Sequence, residues 1–192
     1  MLRRSVLAAL TLTFVTQTAS AQDSTSRHWP RFIAGAVTSV LAHEAGHVGT
    51  SLMLGARPTF GFDEGRPTVY SGISLERDPR KQFLFSAAGL TVQSVLDEAI
   101  LDAPRGGGSF ERGMLAGGIG TTLFYLTIGR NGSVSDVAYI ARSHVLNKTQ
   151  ATFIYGGIAA VHLWRIAHDG RFVDFFAQPR SDGRAMLVGV RR

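Results

Sequence analysis

Residues 32–56 read FIAGAVTSVLAHEAGHVGTSLMLGA, from Phe32 to Ala56, and carry one formal charge, Glu44. A run of this length suits a helix that crosses a bilayer, for which about 20 mostly apolar residues are needed. Trp29 precedes it as an interfacial anchor. Arg57-Pro58 end it, because proline cannot continue a helix and arginine prefers the headgroup level. Inside the run lies His43-Glu44-Ala45-Gly46-His47, an H-E-x-x-H sequence. A helix turns about 100° per residue, so His43 and His47 lie about 40° apart and one turn along the axis, which aims both imidazoles at one ion.

Neutral imidazole nitrogens bind zinc well. Glu44, on a neighbouring face of the helix, can take a proton from water held by the metal and pass it to a leaving amine. A glutamate and two histidines in the middle of an apolar helix are costly unless they are paired, liganded or facing a cavity. The alternative to a metal is a buried hydrogen-bonded cluster. The chain has no cysteine, so any metal is held by His, Asp or Glu. A hydrolytic zinc site uses three protein ligands and leaves one position open. Thr50 and Met53 stand where the metzincin extension needs glycine and histidine, so the third ligand must come from another element. Asp136 is the first candidate, since it sits where a polar loop enters a helix among hydrophobic neighbours; its ordinary role there would be an acid complementing the helix dipole. Glu98 is the runner-up, with a solvated helix end as its ordinary role. The isolated His144, His162 and His168 are weaker candidates.

Outward from this segment, residues 58–75 alternate aromatic and β-branched residues around Asp63-Glu64-Gly65, which predicts one β-hairpin. A charged loop, Glu76 to Lys81, leads into an uncharged helical run from Gln82 to Leu96. Pro104 and Gly106-Gly107-Gly108 break the chain before a third uncharged run, Met114 to Gly129. Gly113, Gly117, Gly118 and Gly120 there are small enough to let helices approach closely. A polar loop at 130–136 hands over to a helix near Ser135, a capping residue type, and Thr149 to Trp164 is a fourth apolar run. Residues 172–176 and 185–190, with a turn at Ser181-Asp182-Gly183, predict a loose second hairpin or an ordered tail. Gln93, one turn after Gly89, is either a group that positions the site or substrate, or a polar contact within the bundle.

The 192 residues fit one domain. Charged residues make up 18% of the chain and mean hydropathy is +0.10, against about a quarter charged in soluble globular chains. Four apolar runs leave little polar surface to display, which favours a small membrane-embedded helical bundle of about four apolar helices, mainly α, with the β-hairpin inserted after the first. The N-terminus reads as a signal peptide over 1–21: Arg3-Arg4, an apolar run from Val6 to Val15, then Ala19-Ser20-Ala21. Its removal lowers the basic count from 20 to 18 against 14 acids, a formal charge of +4. A linker (22–31), a helical metalloprotease-like domain (32–170) and a C-terminal tail or hairpin (171–192) follow. The basic residues are scattered and not interleaved with aromatics, which excludes a nucleic-acid footprint; they flank membrane segments more naturally.

The order of H-E-x-x-H helix, small β element, Ser86-Ala87-Ala88-Gly89 on the next helix, and Asp136 at a later helix start resembles the site-2 protease family of intramembrane zinc metalloproteases. The resemblance covers about residues 32–145. It implies zinc (Zn2+) on His43, His47 and Asp136, Glu44 as the general base, and hydrolysis of peptide or membrane-protein substrates in or near a lipid bilayer. It also places an exported chain at a bacterial inner membrane or in the periplasm. Glu98 with Asp102 forms an E-x-x-x-D pattern similar to the third-ligand helix of gluzincin metalloproteases, which would instead imply a soluble periplasmic peptidase using Glu98. The remaining alternative is a non-catalytic membrane protein whose histidine pair holds a structural or transported metal.

Overall fold

A computed structural model describes residues 28–63, 66–105, 107–132, 134–172, 177–179 and 185–187. The expected signal peptide and linker residues 22–27 lie outside the described residues. The fold is mainly helical with a small hairpin. Its elements are α1 (His28–Met53), β1 (Thr59–Asp63), β2 (Arg66–Tyr70), α2 (Pro79–Asp102), α3 (Ser109–Leu126), a 3-10 turn (Ile128–Asn131), α4 (Asp136–Arg142), α5 (Lys148–His168), β3 (Ala177–Pro179) and β4 (Ala185–Leu187).

The long apolar segment lies in one helix that starts four residues earlier than the apolar run, with Trp29 and Pro30 of its first turn exposed. It stops where Gly55 adopts φ 75°, a left-handed conformation that glycine enters without a Cβ penalty. Ala56 N–H then reaches back to the Ser51 carbonyl at 3.0 Å, satisfying one of the last helical acceptors. Proline at position 79 opens α2, where its missing N–H costs nothing. Asn147 caps α5 reciprocally: its side chain accepts from Gln150 N–H at 2.8 Å, and Gln150 Oε1 accepts from Asn147 N–H at 2.9 Å.

α1 crosses α3 with the backbones in contact. A Cβ at Gly113 would collide with the Phe32 carbonyl, one at Gly35 with the Phe110 carbonyl, and one at Gly117 would lie 2.8 Å from the Ala36 carbonyl oxygen. Gly120, by contrast, faces open space. α2 lies against α1, α3, α4 and α5. One cluster centres on Leu90, Val137, Ile140 and Ala151, and a second on Leu101, Leu115, Ile166 and Phe172. Arg171 ties the end of α5 to the end of α2. Its guanidinium donates to the Leu101 carbonyl at 2.6 Å and to that of Ala103, and Arg112 donates to the Arg171 carbonyl at 2.8 Å. The same guanidinium, beside Asp169, holds that carboxyl below its ordinary range.

β1 and β2 form the expected antiparallel hairpin, with Thr59 opposite Tyr70 and Asp63 opposite Arg66; its turn residues 64 and 65 lie outside the described residues. α2 is longer than the uncharged run, continuing through Asp97 and Glu98 to Asp102, because these acids find partners on α5. β3 pairs with β4 in an antiparallel ladder; of the expected strand at 172–176 only Phe172, a core residue, is described, and the expected turn at 181–183 lies outside the described residues.

The outer side of α1 presents Ile33, Val37, Val40 and Leu41, and that of α5 presents Phe153, Ile154, Val161 and Trp164, each at least 44% exposed. One described helix, α2, is long and apolar enough by composition to cross a membrane, and half of that stretch is buried within the protein.

Valine at position 113 would force α1 and α3 apart, and overpacking of this kind costs about 1–3 kcal/mol. Thermal unfolding in detergent is expected to show a clear drop in midpoint for Gly113→Val. Gly120→Ala should instead hold or raise the midpoint, since alanine in an exposed helix interior is worth about 0.5–1 kcal/mol over glycine.

Candidate metal centre

α1 and α2 approach closely at Gly46, where a Cβ would lie 3.1 Å from the Ala88 carbonyl oxygen. This contact brings Gly89 under the two imidazoles. A Cβ there would sit 2.5 Å from His43 Nε2 and 2.6 Å from His47 Nε2, so glycine leaves the space where the rings converge. Aromatic rings pack on the imidazoles: His43 stacks on Tyr125 with ring centroids 5.5 Å apart, and His47 packs on Phe85 at 4.7 Å.

The hydrogen bonds behind the rings assign their protons. His47 Nδ1 lies 2.7 Å from the Phe85 carbonyl oxygen, which can only accept, so Nδ1 carries the hydrogen. His43 Nδ1 lies 2.9 Å from Gln93 Oε1, while Gln93 Nε2 lies 3.4 Å from both the carbonyl and the hydroxyl oxygen of Ser39. The amide thus turns its donor end to Ser39 and its acceptor end to His43, and His43 also carries its hydrogen on Nδ1. In the neutral rings both Nε2 atoms are then left with lone pairs aimed forward.

Those lone pairs meet each other and a carboxylate. The two Nε2 atoms are 3.0 Å apart. Asp136 Oδ2 is 3.1 Å from His43 Nε2, and Oδ1 is 3.3 Å from His47 Nε2. Asp136 reaches this point because Ser135 ends the loop in an extended conformation and α4 starts at Asp136, packed on α2. Its side chain is 11% exposed, and Oδ2 has no hydrogen-bond donor among the protein atoms.

Three electron-pair donors facing inward repel one another unless a cation joins them, either an extra proton or a metal ion. The donor atoms all lie within 4.8 Å of one another, and His43, His47 and Asp136 could hold a metal ion. Tetrahedral donors about 2.0–2.1 Å from a common ion stand about 3.3 Å apart. The separations of 3.0, 3.1 and 3.3 Å are close to that spacing.

Glu44 is half-buried on the adjacent face of α1 and accepts a hydrogen bond from the Val69 backbone N–H. It opens on a cavity of 240 Å³ lined also by His47, Val69, Ser71, Ser135 and Asp136. β2 is held over this cavity by a polar chain. Ser51 Oγ donates to the Ser71 carbonyl at 2.5 Å, Ser71 Oγ donates to Gln82 Oε1 at 2.8 Å, and Gln82 Nε2 donates to Ser86 Oγ at 3.3 Å.

The structure therefore brings His43, Glu44, His47 and Asp136 together and does not bring Glu98 to them. Glu98 lies more than two turns further along α2, where Oε2 meets His162 Nε2 at 3.1 Å and Oε1 meets the Arg165 guanidinium, which also bonds Asp102 at 2.6 Å. His162 is consumed in the same cluster, with Asp97 3.8 Å from its Nδ1. His168 faces the Trp164 carbonyl at 2.8 Å, and His144 ends α4 with φ 60°. Ser39, the Phe85 carbonyl and Tyr125 escape sequence reading. Ser39 alone leaves a trace, as a polar residue one turn before His43 on the same helix face.

No known protein family, curated protein or solved structure matches this chain.

Alanine at position 89 would fill the space between the rings. Gly89→Ala is expected to abolish binding of a divalent ion, read as metal per chain by mass spectrometry, while Glu98→Gln, whose partners lie on α5, leaves it unchanged.

Proposed function

We propose that this chain is a zinc-dependent peptidase that hydrolyses peptide bonds in or near a membrane. The observation that carries the reading is the convergence of two imidazole lone pairs and the Asp136 carboxylate beside Glu44, at the wall of a cavity. Two nitrogens and one carboxylate oxygen, with no thiolate, form a donor set suited to zinc with an open position. A zinc ion there would polarise a scissile carbonyl and make water a stronger acid.

The chain's own residues supply the rest. His43, His47 and Asp136 would hold the ion, and the hydrogen bonds behind the rings keep them from turning away. Glu44, on the cavity side, takes a proton from water and delivers it to the leaving amine. The Val69 N–H orients the Glu44 carboxylate in the meantime. Tyr125 and Phe85 pack against the rings and restrict their planes.

The apolar outer faces of α1 and α5 support a lipid environment. Large apolar side chains are exposed along both helices, and Trp29 and Trp164 among them suit the interface between lipid and water. A metal-binding membrane protein without catalysis is the second reading. It needs only the donor set of His43, His47 and Asp136 and no proton transfer by Glu44.

Two variants separate these readings. Glu44→Gln should retain one zinc per chain and lose peptide cleavage, measured on an unfolded or transmembrane peptide library in detergent or vesicles; a loss of about 10²-fold or more is expected for a general base. Asp136→Ala should lose both zinc and cleavage. Zinc in the wild type with no cleavage of any peptide would establish the non-catalytic reading, and absence of zinc from the wild type would remove both.

A further inference from the structure

The residues behind His43 form a device of their own. Gln93 is fully buried on α2, 50 positions away in sequence, yet its Oε1 sits 2.9 Å from His43 Nδ1. Ser39, also buried and one turn before His43 on α1, receives the other end of the amide through its carbonyl and hydroxyl oxygens at 3.4 Å. An amide can present either its oxygen or its nitrogen to a neighbour. Two acceptors at Ser39 hold the nitrogen there, so the oxygen is presented to the imidazole.

The consequence concerns a choice His47 does not share. His47 faces a main-chain carbonyl, which is an acceptor whatever side chains surround it. His43 has no such partner: its proton position depends on the Gln93 side chain and on which way that side chain is turned. With Nδ1–H fixed, Nε2 is bare and points at Asp136 and His47. With the proton on Nε2, His43 would aim a hydrogen at the convergence point and could not ligate there.

We propose that Gln93 is a positioning residue for the metal centre: oriented by Ser39, it holds His43 in the tautomer that offers Nε2 to the ion and so raises metal affinity. This rests on the reading of His43, His47 and Asp136 as metal ligands. Partners behind a ligating histidine are worth about 10- to 100-fold in metal affinity, and Gln93 is assigned that share here. The amide also neutralises its own buried position, since both of its ends are occupied and neither contributes a charge to the apolar interior.

The test is zinc affinity by chelator competition on the full detergent-purified chain, for the wild type, Gln93→Met and Gln93→Glu, together with 15N NMR of the histidine rings. Methionine conserves volume and flexibility and removes both the acceptor at His43 and the donor at Ser39; zinc should bind about 10- to 100-fold more weakly. Glutamate keeps an acceptor at the same reach but sets its second oxygen against the Ser39 carbonyl, so affinity should recover in part, above that of Gln93→Met. In the wild type, the His43 ring should show its retained proton on Nδ1, a readout that needs no variant to fold. Unchanged zinc affinity in Gln93→Met, or a His43 proton on Nε2 in the wild type, would overturn the inference while leaving the metal centre standing. A wild type that takes up no zinc would overturn both.

Discussion

Like-signed electron pairs do not share a buried space without a cation, and the interior of this protein is built around that constraint. Two imidazole Nε2 atoms and a carboxylate, all on buried residues, lie about 3 Å apart. Each supporting feature removes one way of escaping the arrangement. The Phe85 carbonyl and the Gln93 amide keep the protons on the far sides of the rings. Tyr125 and Phe85 block the rings from tilting. Gly89 leaves the convergence point open where any Cβ would close it. The start of α4 delivers Asp136 from the remaining side.

Close helix packing makes this possible. α1 touches α3 through Gly35, Gly113 and Gly117, and α2 through Gly46, so the helix that carries both histidines is held on two sides with almost no side-chain padding. Backbone contact of this kind sets ring positions to within a fraction of an ångström, a precision metal ligation requires. Its outer face is left apolar and exposed, together with that of α5. The polar groups are gathered instead on the inner face of α2, where Gln82, Ser86, Gln93 and Asp97 are all buried and all engaged with another element or with one another.

The cluster at the far end of α2 shows how a plausible ligand is lost to a competitor. Glu98 and Asp102 stand one turn apart and could have served a metal on composition alone. Arg165, one turn after His162 on α5, bridges both acids, and His162 takes the other oxygen of Glu98. The neighbouring Asp97 is buried because Gly118 on α3 has no side chain to occupy its place.

Local sequence was enough for the periodic and short-range features: the H-E-x-x-H pair one helical turn apart, the uncharged helices, the hairpin between Arg57 and Glu76, and a helix start at Ser135. These depend on contacts within a few residues, where periodicity and capping chemistry act directly. Helix ends shifted wherever a distant partner absorbed a charge, as α5 does for Asp97 and Glu98. The approach of Asp136, and not Glu98, to the two histidines, the burial of Gln93 against His43, and the open space at Gly89 appear only in the tertiary structure. Each depends on which residues from separate helices occupy the same few ångströms, and spacing along the chain carries no record of that distance.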